Sequence, residues 1–154
     1  MITLDTNLSA KNATTQYMNF DYNSMVKFGN IFLCAADSGL FEVTGDTDNG
    51  SNIESYFEPV TIDFGIAGEK RLRSVYIGYE AADDLTLTIS TELGLEESYT
   101  IPASAAGQHG EKISVNRSLR GRYWTFQIYS DGVPFSIDEI KVLPIIRGRG
   151  FEKN

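Results

Sequence analysis

The chain is poor in the side chains that most often carry chemistry: among its 154 residues there is one cysteine and one histidine. A single cysteine, Cys34, rules out an intrachain disulfide, and its setting in "NIFLCAAD" reads as a small buried hydrophobe. A nucleophilic triad or dyad needs a histidine, and His109 lies in "AAGQHGE" with nothing patterned to pair with it. No apolar run approaches the roughly 20 residues of a membrane span. The N-terminal stretch "MITLDTNLSAKNATTQY" has neither the basic start nor the apolar core of a signal peptide. The expectation is a soluble protein made in a cytoplasm.

Basic charge is also scarce. Lys and Arg total 13 against 21 Asp and Glu, for a net charge of −8 and a pI near 4.6. Such a chain is a poor general binder of nucleic acid. The deficit is uneven. Residues 1–69 hold 10 acids and only Lys11 and Lys27, a net of −8, whereas residues 70–154 hold 11 acids and 11 bases, a net of zero. Every arginine falls in the second part. That asymmetry suits complementary surfaces on neighbouring subunits, and equally a plain solvated acidic face.

Sequence signatures of catalysis are lacking as well. No G-x-S-x-G elbow is present, and "FGIAGEKR" is too short for a phosphate-binding loop. The acid pairs Asp83/Asp84 and Glu96/Glu97 are adjacent, so they face apart rather than across a sugar. "DTDNGSNIE" has a calcium-loop composition but places its Gly and Glu wrongly for an EF-hand. Asp46, Asp48 and Asn52 stay as a looser oxygen set, with a solvated turn the simpler reading. The sequons at Asn12 and Asn116 carry little weight without secretion. The expectation is no enzyme, no cofactor and no metal.

What the chain does have is strand patterning. Twelve aromatic residues per hundred and 42% hydrophobic residues give a chain of this length a real core. No long segment keeps a helical period, whereas short alternating runs recur between turn signals. Residues 1–24 read as an extended arm or loop, with Tyr17, Phe20 and Tyr22 as scattered anchors. Residues 25–52 read as a β meander ending in a polar loop. A single long strand is expected over 53–65, with Pro59 marking an edge or a bulge. In "RLRSVYIGYE", Arg71, Arg73, Val75, Ile77 and Tyr79 share one parity. "DLTLTIS" points Leu85, Leu87 and Ile89 to one face. "ASAAGQHG" reads as a mobile loop, and Ile113 and Val115 point inward beyond it. The parity of "FSIDEIKVLPI" slips at Asp138–Glu139, which predicts a bulge. The fold class expected is all-β: an antiparallel, jelly-roll-like β-sandwich over 53–146, preceded by the meander and arm and followed by a basic tail, 147–154.

"RGRYWTFQIY", residues 120–129, sets arginines against aromatics. On a strand, Trp124, Phe126 and Ile128 go to the core and Arg122 reaches water at the strand end. The stretch is therefore a packing face and not a stacking platform for bases. Asp138 is a candidate rim partner for Arg120 or Arg122.

Residues 25–150 resemble structural proteins of tailed bacteriophages. The resemblance rests on "VKFGNIFLCAADSGLFEVTGDTDNG", with its Gly-Leu-Phe-Glu hairpin and Asp-rich turn, then on "ESYFEPVTIDFG", "KRLRSVYIGYE" and "RSLRGRYWTFQIYSDGVPFSIDEIKVLPIIRGRG". It implies a virion component of the tail or distal tail and baseplate. Such a protein acts by assembly, as a homo-oligomeric ring or trimer that bridges other tail proteins. The interface residues expected are Tyr17, Phe20, Tyr22, Lys70, Arg71, Arg73, Arg120, Arg122, Arg147 and Arg149, with arms tied by strand addition to a neighbour's edge. The alternative is a sandwich module that binds carbohydrate or another host-surface ligand through Tyr123 and Tyr129, with Tyr79 and Tyr99 near them.

Overall fold

The computed structural model describes residues 2–5, 13–16, 21–45, 47–48 and 50–146. The described chain is all-β, every paired strand antiparallel, and divides into two compact units, Met1–Gly45 and Asp46–Asn154. Tyr17, Phe20, Asp46, Arg147 and Arg149 lie outside the described residues.

In the first unit, β1 (Ile2–Asp5) pairs with β2 (Ala13–Gln16), so a stretch expected as an extended arm or loop doubles back as a hairpin. The expected meander follows: β3 (Ser24–Phe28), β4 (Ile31–Ala36) and β5 (Gly39–Glu42) pair in chain order. Cys34 is fully buried on β4, as its apolar setting implies. The Tyr22 ring lies 5.7 Å from that of Phe41. Much apolar surface stays open here, with Val26 58%, Phe28 70% and Leu40 75% exposed.

The second unit opens with a short hairpin of β6 (Thr47–Asp48) and β7 (Ser51–Asn52). Then come β8 (Glu54–Phe57), β9 (Lys70–Ala81), β10 (Leu85–Thr91), β11 (Glu96–Ile101), β12 (Ser104–Ser114), β13 (Trp124–Asp131) and β14 (Phe135–Ile146). They form a four-stranded sheet, β11-β10-β13-β8, and a three-stranded sheet, β12-β9-β14. One apolar core joins the inner faces of both: Val75, Ile77 and Tyr79 from β9, Leu85, Leu87 and Ile89 from β10, and Trp124, Phe126 and Ile128 from β13. Each of these side chains, removed from water, stabilises the fold by roughly 1.5–3 kcal/mol before entropy is counted.

The strand order is that of a jelly roll without its first strand. A complete roll has eight strands in two sheets, with the first strand beside the last and across from the second. Here the last strand, β14, is an edge, and β8 is the edge of the other sheet.

Three expectations change in the structure. The strand over 53–65 stops at Phe57, because Pro59 has no N–H for a ladder, and backbone pairing with the sheet resumes at the isolated Ile62–Trp124 bridge. From Ser104 onward "ASAAGQHG" belongs to β12, paired to β9 at Ser104 and again from His109 with a register shift between them. The parity shared from Arg71 to Tyr79 breaks. Leu143 pairs with Ser74 and Pro144 with Leu72, so Arg73 is the extra residue of a bulge. Arg71 and Arg73 thereby turn away from the face that buries Val75, Ile77 and Tyr79. The bulge expected at Asp138 is present, as a register shift between Ile137 and Glu139.

A compact node closes one end of the sandwich. Lys70 and Gly121 exchange two backbone hydrogen bonds of 2.9 and 3.1 Å, joining the start of β9 to the approach to β13 in the other sheet. The Lys70 side chain is fully buried, and its Nζ donates to the Arg122 carbonyl at 2.7 Å. Burial lowers the pKa of this ammonium; the Asp63 carboxylate opposes that, the Arg122 cation adds to it and Glu92 opposes it. Glu92, in the β10–β11 turn, accepts from the backbone N–H groups of Arg122 at 2.6 Å and Tyr123 at 2.8 Å. Trp124 Nε1 donates to the Gly121 carbonyl at 3.2 Å. A Cβ on Gly121 would meet Glu92 Oε2 at 2.7 Å and Thr91 Cβ at 2.9 Å.

Two outcomes follow from this node. Gly121→Ala is expected to cost about 1–3 kcal/mol through overpacking, read as a lower denaturant midpoint at unchanged slope. The second concerns pH. Partial burial pushes the Glu92 carboxyl upward, but the N–H groups of Arg122 and Tyr123, its own N–H and the Lys70 charge outweigh that and hold it below the ordinary glutamate value. A group titrating lower in the folded state contributes stability above its unfolded pKa and loses it as pH falls through the folded one. The Tm gap between wild type and Glu92→Gln is therefore expected to narrow below about pH 4. A gap unchanged down to acid unfolding would contradict the role given to Glu92.

Candidate assembly surface

Of the arginines expected at an interface, the described ones, Arg71, Arg73, Arg120 and Arg122, are brought to one end of the sandwich. The bulge at Arg73 turns Arg71 and Arg73 outward on β9, and Ile145 of β14 pairs with Arg71. A third arginine, Arg117, comes from the turn after β12. That turn is shaped by Asn116, whose Oδ1 accepts from the Ser118 N–H at 3.0 Å and whose amide donates to Glu97 at 3.1 Å. Arg71, Arg73 and Arg117, with Leu72, Ser114, Val115 and Ile145, line a cavity of about 580 Å³ that no acidic residue lines. Among the described residues none of the three is in an ion pair, and Arg71 Nε is buried with no hydrogen-bond partner. A buried N–H of a guanidinium is costly to leave unpaired. The cavity is thus electropositive, and an anion there would gain a planar donor array.

Sequence reasoning missed Arg117, which stood out only as part of a sequon. Its signal was a basic residue in a tight turn directly after a strand paired to the one that bears Arg71 and Arg73.

The other expected residues divide. Arg120 and Arg122 are exposed on either side of Gly121, so the Lys70–Gly121 bridge carries them to the same end as Arg71. The Arg122 guanidinium lies 4.9 Å from the Tyr123 ring centre. Asp138 pairs with neither Arg120 nor Arg122 among the described residues. Lys70 is not a surface residue at all: it is 0% exposed and belongs to the node. A lysine at the start of a strand reads as exposed in sequence, and only the packing of the turn 63–65 and the 120–122 segment around it buries the stem. In that turn Phe64 takes a left-handed φ of 56°, with Asp63 Oδ1 accepting from the Gly65 N–H at 2.9 Å. Its ring then covers the Lys70 ammonium at 6.0 Å and meets Phe126 edge-on at 6.5 Å.

The tyrosines also divide. Tyr129 lies beside Tyr56 of β8 on the outer face of the four-stranded sheet. A hydrogen bond to the Glu54 carboxylate raises the Tyr129 phenol pKa, with burial adding to it. Tyr123 is 39% exposed under the Arg122 head. Tyr79 and Tyr99 do not join them. Tyr79 is buried, and its hydroxyl donates to the Pro102 carbonyl; Tyr99 packs against the core and accepts from the Asn116 N–H at 2.9 Å. Among the described residues no cluster of His, Cys, Asp or Glu is arranged to hold a metal, and Asp48 stands exposed on β6.

No family model, curated protein or solved structure matches this chain.

Lys70 and Arg73, alike in charge, are expected to behave oppositely. Arg73→Ala should change the unfolding free energy by less than about 0.5 kcal/mol, as for an exposed unpaired residue. Lys70→Ala should cost more than about 2 kcal/mol, through a lost stem and an orphaned carbonyl. Denaturant unfolding of the two variants distinguishes them.

Proposed function

We propose that this protein is a structural component of a phage virion, in the tail or the distal tail and baseplate, that works by homo-oligomeric assembly and by bridging other tail proteins. The observation that carries the reading is the cavity of Arg71, Arg73 and Arg117, which among the described residues has no acidic partner in a chain of net charge −8. Three arginines gathered with no described acidic partner, in a chain with acids to spare, support a use for them outside their own fold. Residues 1–69, with their net −8, are the complementary charge that another copy would present. The open apolar strands of the meander support the same reading, since a small sheet with Phe28 and Leu40 in water is stabilised by a neighbour. The resemblance of residues 25–150 to structural proteins of tailed bacteriophages supports the setting.

A second reading has one observation in its favour. Tyr56 and Tyr129 stand side by side on an exposed sheet face, with Tyr123 further along the same strand segment, an arrangement on which a sugar ring can stack.

Light scattering on the purified chain at low salt tests assembly. The expected result is a mass of several subunits that falls with added salt and falls in the Arg71→Glu, Arg73→Glu double variant, with circular dichroism unchanged. An undiminished oligomer from a folded double variant would remove the arginines from the interface. A glycan-array signal lost on Tyr56→Ala or Tyr123→Ala, from a monomeric wild type, would favour the second reading instead.

A further inference from the structure

We infer that the missing first strand of the jelly roll is supplied by β3 of a second copy of this chain, laid along the open edge of β14; this rests on the assembly reading above and names its contact. The acceptor is defined by two features. β14 is 12 residues long, and of the described strands only β9 pairs with it, so one full edge presents unpaired backbone groups. Long bare edges are normally blocked or covered. Alongside it lies an apolar groove of about 440 Å³ whose walls include Phe57, Val60, Ile62, Ile137, Ile140 and Val142. Val60 is 89% exposed, an unusual position for a valine that nothing covers. The groove runs between β14 and the segment after β8, which is where the first strand of a complete roll sits, beside the last strand and across from the second.

Chain order then says what belongs there. In a complete roll the strand in question immediately precedes β8. In this chain that place is taken by the β6–β7 hairpin, whose described residues Thr47, Asp48, Gly50, Ser51 and Asn52 carry no apolar side chain for the groove. The next candidates upstream are the two edges of the meander, β3 and β5. On β3, Val26 and Phe28 stand on one face, 58% and 70% exposed, two residues apart. Their spacing of roughly 7 Å along the strand equals that of Ile140 and Val142 on β14. Lys27 stands on the opposite face. A strand that sends Val26 and Phe28 into the groove turns Lys27 to the outer face of the sheet. The other meander edge, β5, sets Glu42 on the face of Leu40 and Gly39 on that of Phe41, so of the two edges only β3 offers two apolar side chains on one face. In keeping with the assembly reading, the donor is assigned to a neighbouring copy, as an element exchanged between protomers.

The contact is heterologous: each copy has one donor strand and one acceptor edge. That property makes the test decisive. Val60→Asp spoils the acceptor and Phe28→Asp spoils the donor, both at positions too exposed to unfold the chain. Full-length wild type is expected to oligomerise, and each variant alone to have the mass of a monomer. Mixed in equal amounts, the two variants are expected to form a dimer of doubled mass, because the intact β3 of one fits the intact edge of the other. A mixture that stays monomeric overturns donation between copies. Variants that keep the wild-type oligomer mass overturn this contact while leaving assembly through the arginines standing. A wild type that is monomeric at every concentration removes both.

Discussion

The Lys70–Gly121 crossing is the constraint on which the sandwich end is built. Two sheets that share a core are otherwise free to splay where their strands begin. Here a two-way backbone bridge joins the start of β9 to the approach to β13, and a buried ammonium is drawn in behind it to the Arg122 carbonyl. The charge is tolerable because the carbonyl, the face of Phe64 and the Asp63 and Glu92 carboxylates compensate it locally. Glu92 then satisfies two N–H groups that the crossing would leave bare, and Trp124 spends its indole N–H on the Gly121 carbonyl. Only glycine fits where Thr91 and Glu92 close over the backbone. With that residue fixed, Arg120 and Arg122 on either side of it have nowhere to go but out.

The same economy governs the surface. A bulge that adds one residue at Arg73 lets β9 bury Leu72 on one side of it and Val75 on the other while turning both arginines away from the core. The resulting cavity of unpaired guanidinium groups and the bare edge of β14 both belong to the three-stranded sheet, the smaller one. This sheet is where the fold is incomplete in both charge and strand number. Under the assembly proposed above, heterologous contacts between copies would close these deficits into a ring.

Much of the sandwich was legible in the sequence because its strands obey the two-residue period where they are buried. Leu85, Leu87 and Ile89, then Trp124, Phe126 and Ile128, alternate with polar residues and are buried as that alternation demands. The slip at Asp138–Glu139 showed in the same way. Local patterning failed where pairing came from far away. The stretch from Ser104 to Gly110 has small and polar residues and no strand signal, yet it belongs to β12 because β9 pairs with it at Ser104 and again from His109. The bulge at Arg73 left no mark either, since a sequence of alternating residues reads as regular until a partner strand fixes the register.

Sequence alone, then, determined the fold class, the inward faces of the central strands and the division of charge along the chain, because these depend on composition and on neighbours one or two residues apart. It also determined that no intrachain disulfide can form, since the chain has one cysteine. Only the tertiary structure decided that Lys70 is buried while Arg71 is not, that Arg117 joins Arg71 and Arg73, and that Tyr56 and not Tyr79 lies beside Tyr129. Each of these turns on which distant segment covers a residue. Burial of a charge and the meeting of like charges are properties of space, and the chain order that brings residues 70 and 121 together is written in no local pattern.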